Sequence, residues 1–87
     1  MDTNTVQGIT DEELDQMEAR LRDATSGPWT SYVEGREHMS GSSFIQTPTV
    51  DIELSGATVA DQDFIAHARE DLPKLLIEVR RLRAATI

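Results

Sequence analysis

The spacing of apolar residues changes twice along this chain, and each regime predicts a different kind of structure. Near the start, Leu14, Met17, Leu21 and Ala24 step by 3, 4 and 3, the narrow stripe of an amphipathic helix. Its opening is encoded locally. Thr10 caps, Glu13 completes a capping box, Ile9 and Leu14 take the staple positions, and Asp11, Glu12 and Glu13 lie at the positive end of the helix dipole. Gly27-Pro28 ends the helix.

The middle of the chain reads as strand. Residues 29–34 are rich in β-formers and are broken by Gly35. Residues 43–47 form a second short strand, interrupted by Pro48. Val50, Ile52 and Leu54 then alternate with Asp51, Glu53 and Ser55, the period of a strand with one buried face, and Gly56 closes it. The connections are too short for parallel crossovers, so the sheet is antiparallel. Residues 35–43 read equally as a lid or as an idle hairpin connection.

Helical spacing returns near Ala60 or Asp61, in a segment to Glu70 expected to bury Phe64, Ile65 and Ala68. Asp71-Leu72-Pro73 reads as a second start, with Asp71 capping and Pro73 in the first turn. Leu72, Leu75, Val79, Leu82 and Thr86 then step by 3, 4, 3 and 4, a seam for packing helix on helix, widened by Leu76 and Ile77. The expectation is an α+β fold of order α-β-β-β-α-α, a small three-stranded antiparallel sheet packed against helices. It comprises a flexible N-terminus (1–8) and a single domain (9–87).

At 87 residues with no cysteine, the chain can use neither disulfides nor a thiolate metal cage to supplement its core. A homodimer or higher oligomer is therefore expected. The first eight residues lack the basic and apolar regions of a signal peptide, and the longest apolar run, Leu75-Leu76-Ile77, is far too short for a bilayer, which points to the cytoplasm. A net charge of −8 argues against membrane or general nucleic-acid binding. The charge is uneven. Residues 1–63 hold thirteen acids against Arg20, Arg22 and Arg36, while Arg69, Lys74, Arg80, Arg81 and Arg83 make residues 64–87 net positive.

Catalytic patterns are weak. The serines near Gly41 lack the setting of a nucleophile elbow, and the five glycines are too dispersed to cradle phosphate. Asp63, His67 and Asp71 fall at four-residue steps and could hold a cation, but a solvated helix face explains them equally well. No enzyme activity, metal or cofactor is expected. Binding chemistry is better represented. Trp29 or Tyr32 could form a stacking wall, with Arg36, His38 or Arg69 supplying positive charge, a set suited to a nucleotide-type ligand. The same sequence also allows Trp29 and Phe64 to be core residues.

Two segments resemble a known family. Thr25-Ser26-Gly27-Pro28-Trp29 is similar to an "ATPGPW" turn. Asp63-Phe64-Ile65-Ala66-His67-Ala68-Arg69-Glu70-Asp71-Leu72-Pro73-Lys74-Leu75-Leu76-Ile77-Glu78-Val79 resembles a "DFIAxARxDxPxLLxEV" tail. Together they resemble the small Ead-like accessory proteins of phages and prophages; Ser26 departs from the usual proline. The resemblance implies a nonessential phage protein acting inside a bacterial host. On that basis the expected function is counter-defence by sequestering a small nucleotide-type immune signal in an oligomer-interface pocket. The alternative is an acidic, nucleic-acid-mimicking inhibitor of a host defence protein.

Overall fold

A computed structural model describes residues 8–36 and 41–85. Helix α1 spans Asp11–Asp23, strands β1, β2 and β3 span Thr30–Tyr32, Phe44–Gln46 and Asp51–Ile52, and helix α2 spans Val59–Ala85. The sheet is antiparallel in the order β1-β2-β3, with Ser31 opposite Ile45 and Ile45 opposite Ile52. The class is α+β, as the sequence implies. The order is α-β-β-β-α, because one long helix replaces the two expected at the C-terminus.

Pro73 lies inside α2 and has no N–H for the carbonyl of Arg69, an omission that ordinarily costs about 3 kcal/mol. The helix continues because it is held on both sides of the proline. Before Pro73, Gln62 bonds to the sheet; beyond it, Leu76 is buried and Arg80 reaches α1. Its start is also more clearly encoded than Ala60 or Asp61 suggests. Thr58 Oγ1 accepts from the Asp61 amide at 3.0 Å, while the Asp61 carboxylate accepts from the Thr58 amide at 3.1 Å, a second reciprocal cap. In α1 the expected capping box is present, with Thr10 Oγ1 accepting at 3.0 Å and Glu13 Oε1 at 2.8 Å.

The hairpin between β2 and β3 turns on Thr47. Its buried hydroxyl accepts from the amide of Val50 and donates to the Val50 carbonyl at 2.6 Å. That turn takes Val50 out of the alternating face; Val50 is exposed, while Ile52 and Leu54 remain half-buried.

The buried apolar residues among those described are Leu14, Val33, Ile45, Ala66 and Leu76. A polar side chain is buried with them. Gln62 Nε2 donates to Ser31 Oγ, the Tyr32 carbonyl and the Phe44 carbonyl at 2.9, 3.1 and 3.2 Å. This contact sets the rotation of α2. With Gln62 and Ala66 turned to the sheet, Phe64, about 200° further round the helix from Gln62, points outward. Phe64 is accordingly 74% exposed, and Ile65 is exposed too, in place of the burial expected for both.

The basic end of α2 lies along α1. Arg80 bonds Glu18 and Asp15 at 2.8 and 2.9 Å, Arg83 bonds Asp11 and the Ile9 carbonyl, and Arg81 pairs with Glu78 of its own helix. The hydrogen bond from Arg80 holds the Glu18 carboxyl below its ordinary range. Among the described residues, no helix is long and apolar enough to cross a membrane. The expected flexible segment falls mostly on residues 1–7, outside the described residues.

Candidate functional site

The two segments that carry the family resemblance meet in space. After α1 the chain turns through a cis Gly27-Pro28 peptide, and Trp29 Nε1 donates back to the carbonyls of Thr25 and Ser26 at 3.1 and 3.2 Å. From α2, Arg69 Nε donates to the same Thr25 carbonyl at 3.0 Å, and its Nη2 donates to the Leu21 carbonyl at 3.4 Å. A guanidinium thus serves the unsatisfied carbonyls at the negative end of α1. Gly27 lies against Glu70, whose Oε2 would be 2.7 Å from an added Cβ. Arg69 is therefore a fastener between α1 and α2. Arg69→Met keeps much of the stem and removes the donors, and is expected to destabilise the fold by about 2 kcal/mol in urea denaturation. An unchanged midpoint would show that the turn holds itself.

Beside this turn lies a cleft of about 570 Å³. Pro28, Trp29, Thr30 and Ser31 form one wall, Asp63, His67 and Glu70 of α2 form the other, and Arg36 adjoins them. Trp29, its indole N–H turned toward its own backbone, lines the cleft. The Arg36 guanidinium makes two parallel bonds to Asp63, both 2.9 Å. These bonds, supplemented by the Ser31 hydroxyl, hold the Asp63 carboxyl far below the ordinary carboxylate range. His67 Nδ1 lies 2.8 Å from the backbone carbonyl of Asp63, and because a carbonyl only accepts, Nδ1 is the nitrogen that donates there.

The Arg36–Asp63 bond has a signed consequence. A carboxyl with a lowered folded-state pKa stabilises the fold above its unfolded value of about 3.9, and that contribution disappears as pH falls further. Acidification below about pH 4 should therefore reduce the stability that the clamp from Arg36 to α2 contributes, while the bond itself lasts until the lowered folded-state value is reached. In an NMR titration, the Arg36 side-chain signals should shift with Asp63 protonation in the native chain and remain flat in Asp63→Asn. Identical profiles would refute the coupling.

Of the residues expected to bind ligand, Trp29 and Arg36 share the cleft. Arg69 is adjacent, but its guanidinium is directed to α1. Tyr32 lies elsewhere. Ser31 faces α2, so its neighbour Tyr32 projects from the opposite face of the sheet, where its ring lies 5.5 Å from that of Phe44. His38 and residues 37–40 of the connection lie outside the described residues. Of the row weighed for metal, Asp63 and His67 line the cleft, but no cluster of three potential metal ligands exists among the described residues. Thr30 and Ser31 were not singled out by the sequence. The spacing of Asp63, His67 and Glu70 on one helical face was the available signal for the α2 wall. Comparison with family models, curated proteins and solved structures returns no match.

Proposed function

We propose that this chain is a non-enzymatic, phage-type accessory protein that counters host defence by binding and sequestering a small nucleotide-type signal in the cytoplasm of the infected cell. The observation that carries the reading is the cleft beside Trp29, whose volume falls within the range of small-molecule sites. A base would stack on the indole, the Thr30 and Ser31 hydroxyls beside it and the carboxylates opposite would take ribose hydroxyls, and Arg36 would meet phosphate.

The charge of the cleft narrows the ligand. Asp63 and Glu70 together outweigh Arg36, so a cyclic or singly phosphorylated nucleotide fits better than a triphosphate. The cleft forms within one chain, so this reading does not require a pocket at a subunit boundary. The acidic-inhibitor reading is less favoured, because Asp15 and Glu18 of α1 are already held by Arg80.

Trp29 is the single tryptophan, so its emission reports on the cleft directly. Titration with a panel of cyclic and ADP-ribose-type nucleotides should give both a calorimetric signal and a fluorescence change for at least one member. The double variant Arg36→Gln, His67→Ala should weaken that binding by roughly tenfold or more. Absence of heat and of any emission change across the panel would reject the reading.

A further inference from the structure

The outward face of α2 carries more apolar surface than this fold uses. Leu75 is 59% exposed, Leu82 49% and Leu72 44%, and these are the residues whose spacing reads as a helix-packing seam. Helix α1 meets α2 mainly along another stripe, where Pro73, Leu76 and Arg80 lie, and borders these leucines only at Leu72, which shares a hollow with Met17 and Leu21.

The stripe, exposed at Ile65, Leu72, Leu75 and Leu82 and half-buried at Ala68 and Val79, keeps a strict heptad across the proline. Ile65, Leu72 and Val79 occupy one core position, conventionally a, and Ala68, Leu75 and Leu82 the other, d. They run about 27 Å along the helix. Pro73 falls outside both rows, toward α1. The combination of β-branched Ile65 and Val79 at a with leucines at d favours two parallel strands.

We propose that this face is a parallel coiled-coil seam whose occupant is α2 of a second copy of the same chain. Two further observations support that occupant over an unrelated partner. The first is area. With about 200 Å² for each large apolar side chain, the exposed fractions of Phe64, Ile65, Leu72, Leu75 and Leu82 leave roughly 500 Å² per chain, so two copies reach the roughly 1,000 Å² of a specific interface. An apolar hollow of about 360 Å³, lined by Met17, Arg20, Leu21, Leu72 and Leu76, extends this surface onto α1.

The second is charge. One flank of the seam carries Asp71 and Glu78, and the other carries Arg69 and Arg83. In a parallel pair each residue of the first flank faces the residue five positions further on in its partner, so Glu78, paired with Arg81 of its own helix, comes beside the partner's Arg83, which is bonded to Asp11, and opposite charges extend the existing ion pairs. An antiparallel pair centred on Leu75 would instead bring Asp71 against the partner's Glu78, two like charges. The cleft beside Trp29 lies on a separate face of α2 and stays open in this dimer, so the proposal is independent of the ligand.

The absence of native cysteine makes the test direct. In light scattering at 100 μM, the native chain should have the mass of two copies. Leu75→Glu should have the mass of one with an unchanged far-UV spectrum, its dimerisation weakened on the order of 100-fold, because each chain would bring an unpaired charge into the seam. Under mild oxidation Leu75→Cys and Leu82→Cys should each cross-link to themselves, since identical residues meet in a parallel seam, while Ile77→Cys, off the seam, should not. If Leu75→Glu fails to fold, the native mass and the cross-linking pattern still decide. A native mass of one copy or of three or more overturns the proposal. So does cross-linking at only one of positions 75 and 82, or cross-linking at position 77 as efficient as theirs.

Discussion

Gln62→Leu should lower the stability of the fold by about 3 kcal/mol, although it preserves volume and adds apolar surface. The native carboxamide reaches two strands at once, donating to the carbonyls of Tyr32 in β1 and Phe44 in β2. Leucine would remove the three hydrogen bonds that the buried amide donates, each contributing about 0.5–1.5 kcal/mol. Ser31→Ala removes the third partner, a hydroxyl, and should cost under about 1 kcal/mol. Gln62→Glu would place a carboxylate oxygen against two carbonyls. Its folded-state pKa would lie above the unfolded value of about 4.3, so its damage should grow as pH rises through that raised value. Urea titrations with unchanged slopes would establish these values. Native stability in Gln62→Leu would show that the amide does not anchor α2.

Ile45→Ala should cost about 3–4 kcal/mol, the other large effect. Ile45 is fully buried on the central strand and lies opposite both Ser31 and Ile52. A chain of this length has roughly 4–13 kcal/mol of total stability, so this substitution could consume much of it. With so few buried apolar neighbours, the surroundings have little capacity to fill the cavity. Thermal unfolding monitored by circular dichroism at low micromolar concentration provides the measurement, with Leu75→Ala as the comparison. Leu75 is largely exposed in the single chain, so its truncation should matter only where chains associate. Equal losses in the two variants would contradict the core described above.

The sequence signals differed in how far they reached. The start of α1 was legible to the residue, because a capping box satisfies its donors within four positions and needs no distant partner. The three strands were legible from alternation and breakers, although each is shorter than its apolar run, since ladder pairing ends where the hairpin turn at Thr47 and the connection after Arg36 begin. At Pro73 the local reading failed. A proline inside a helix costs stability locally, and only the support of the sheet on one side and α1 on the other keeps α2 whole.

The candidate site was legible in part for the same reason. Trp29 and Arg36 were identifiable by residue type, but Asp63, His67 and Glu70 become a wall only once Gln62 sets the rotation of α2. The role of Arg69 as a fastener depends on the Leu21 and Thr25 carbonyls, more than forty positions away.

The chain by itself determined the cap of α1, the three strands with their antiparallel pairing, and the apolar spacing from Leu72 to Leu82, all set by neighbours a few residues apart. Tertiary structure alone decided which stripe of α2 turns inward. Turning Gln62 inward gives the helix three buried hydrogen bonds to the sheet, and the same rotation leaves Phe64 in water.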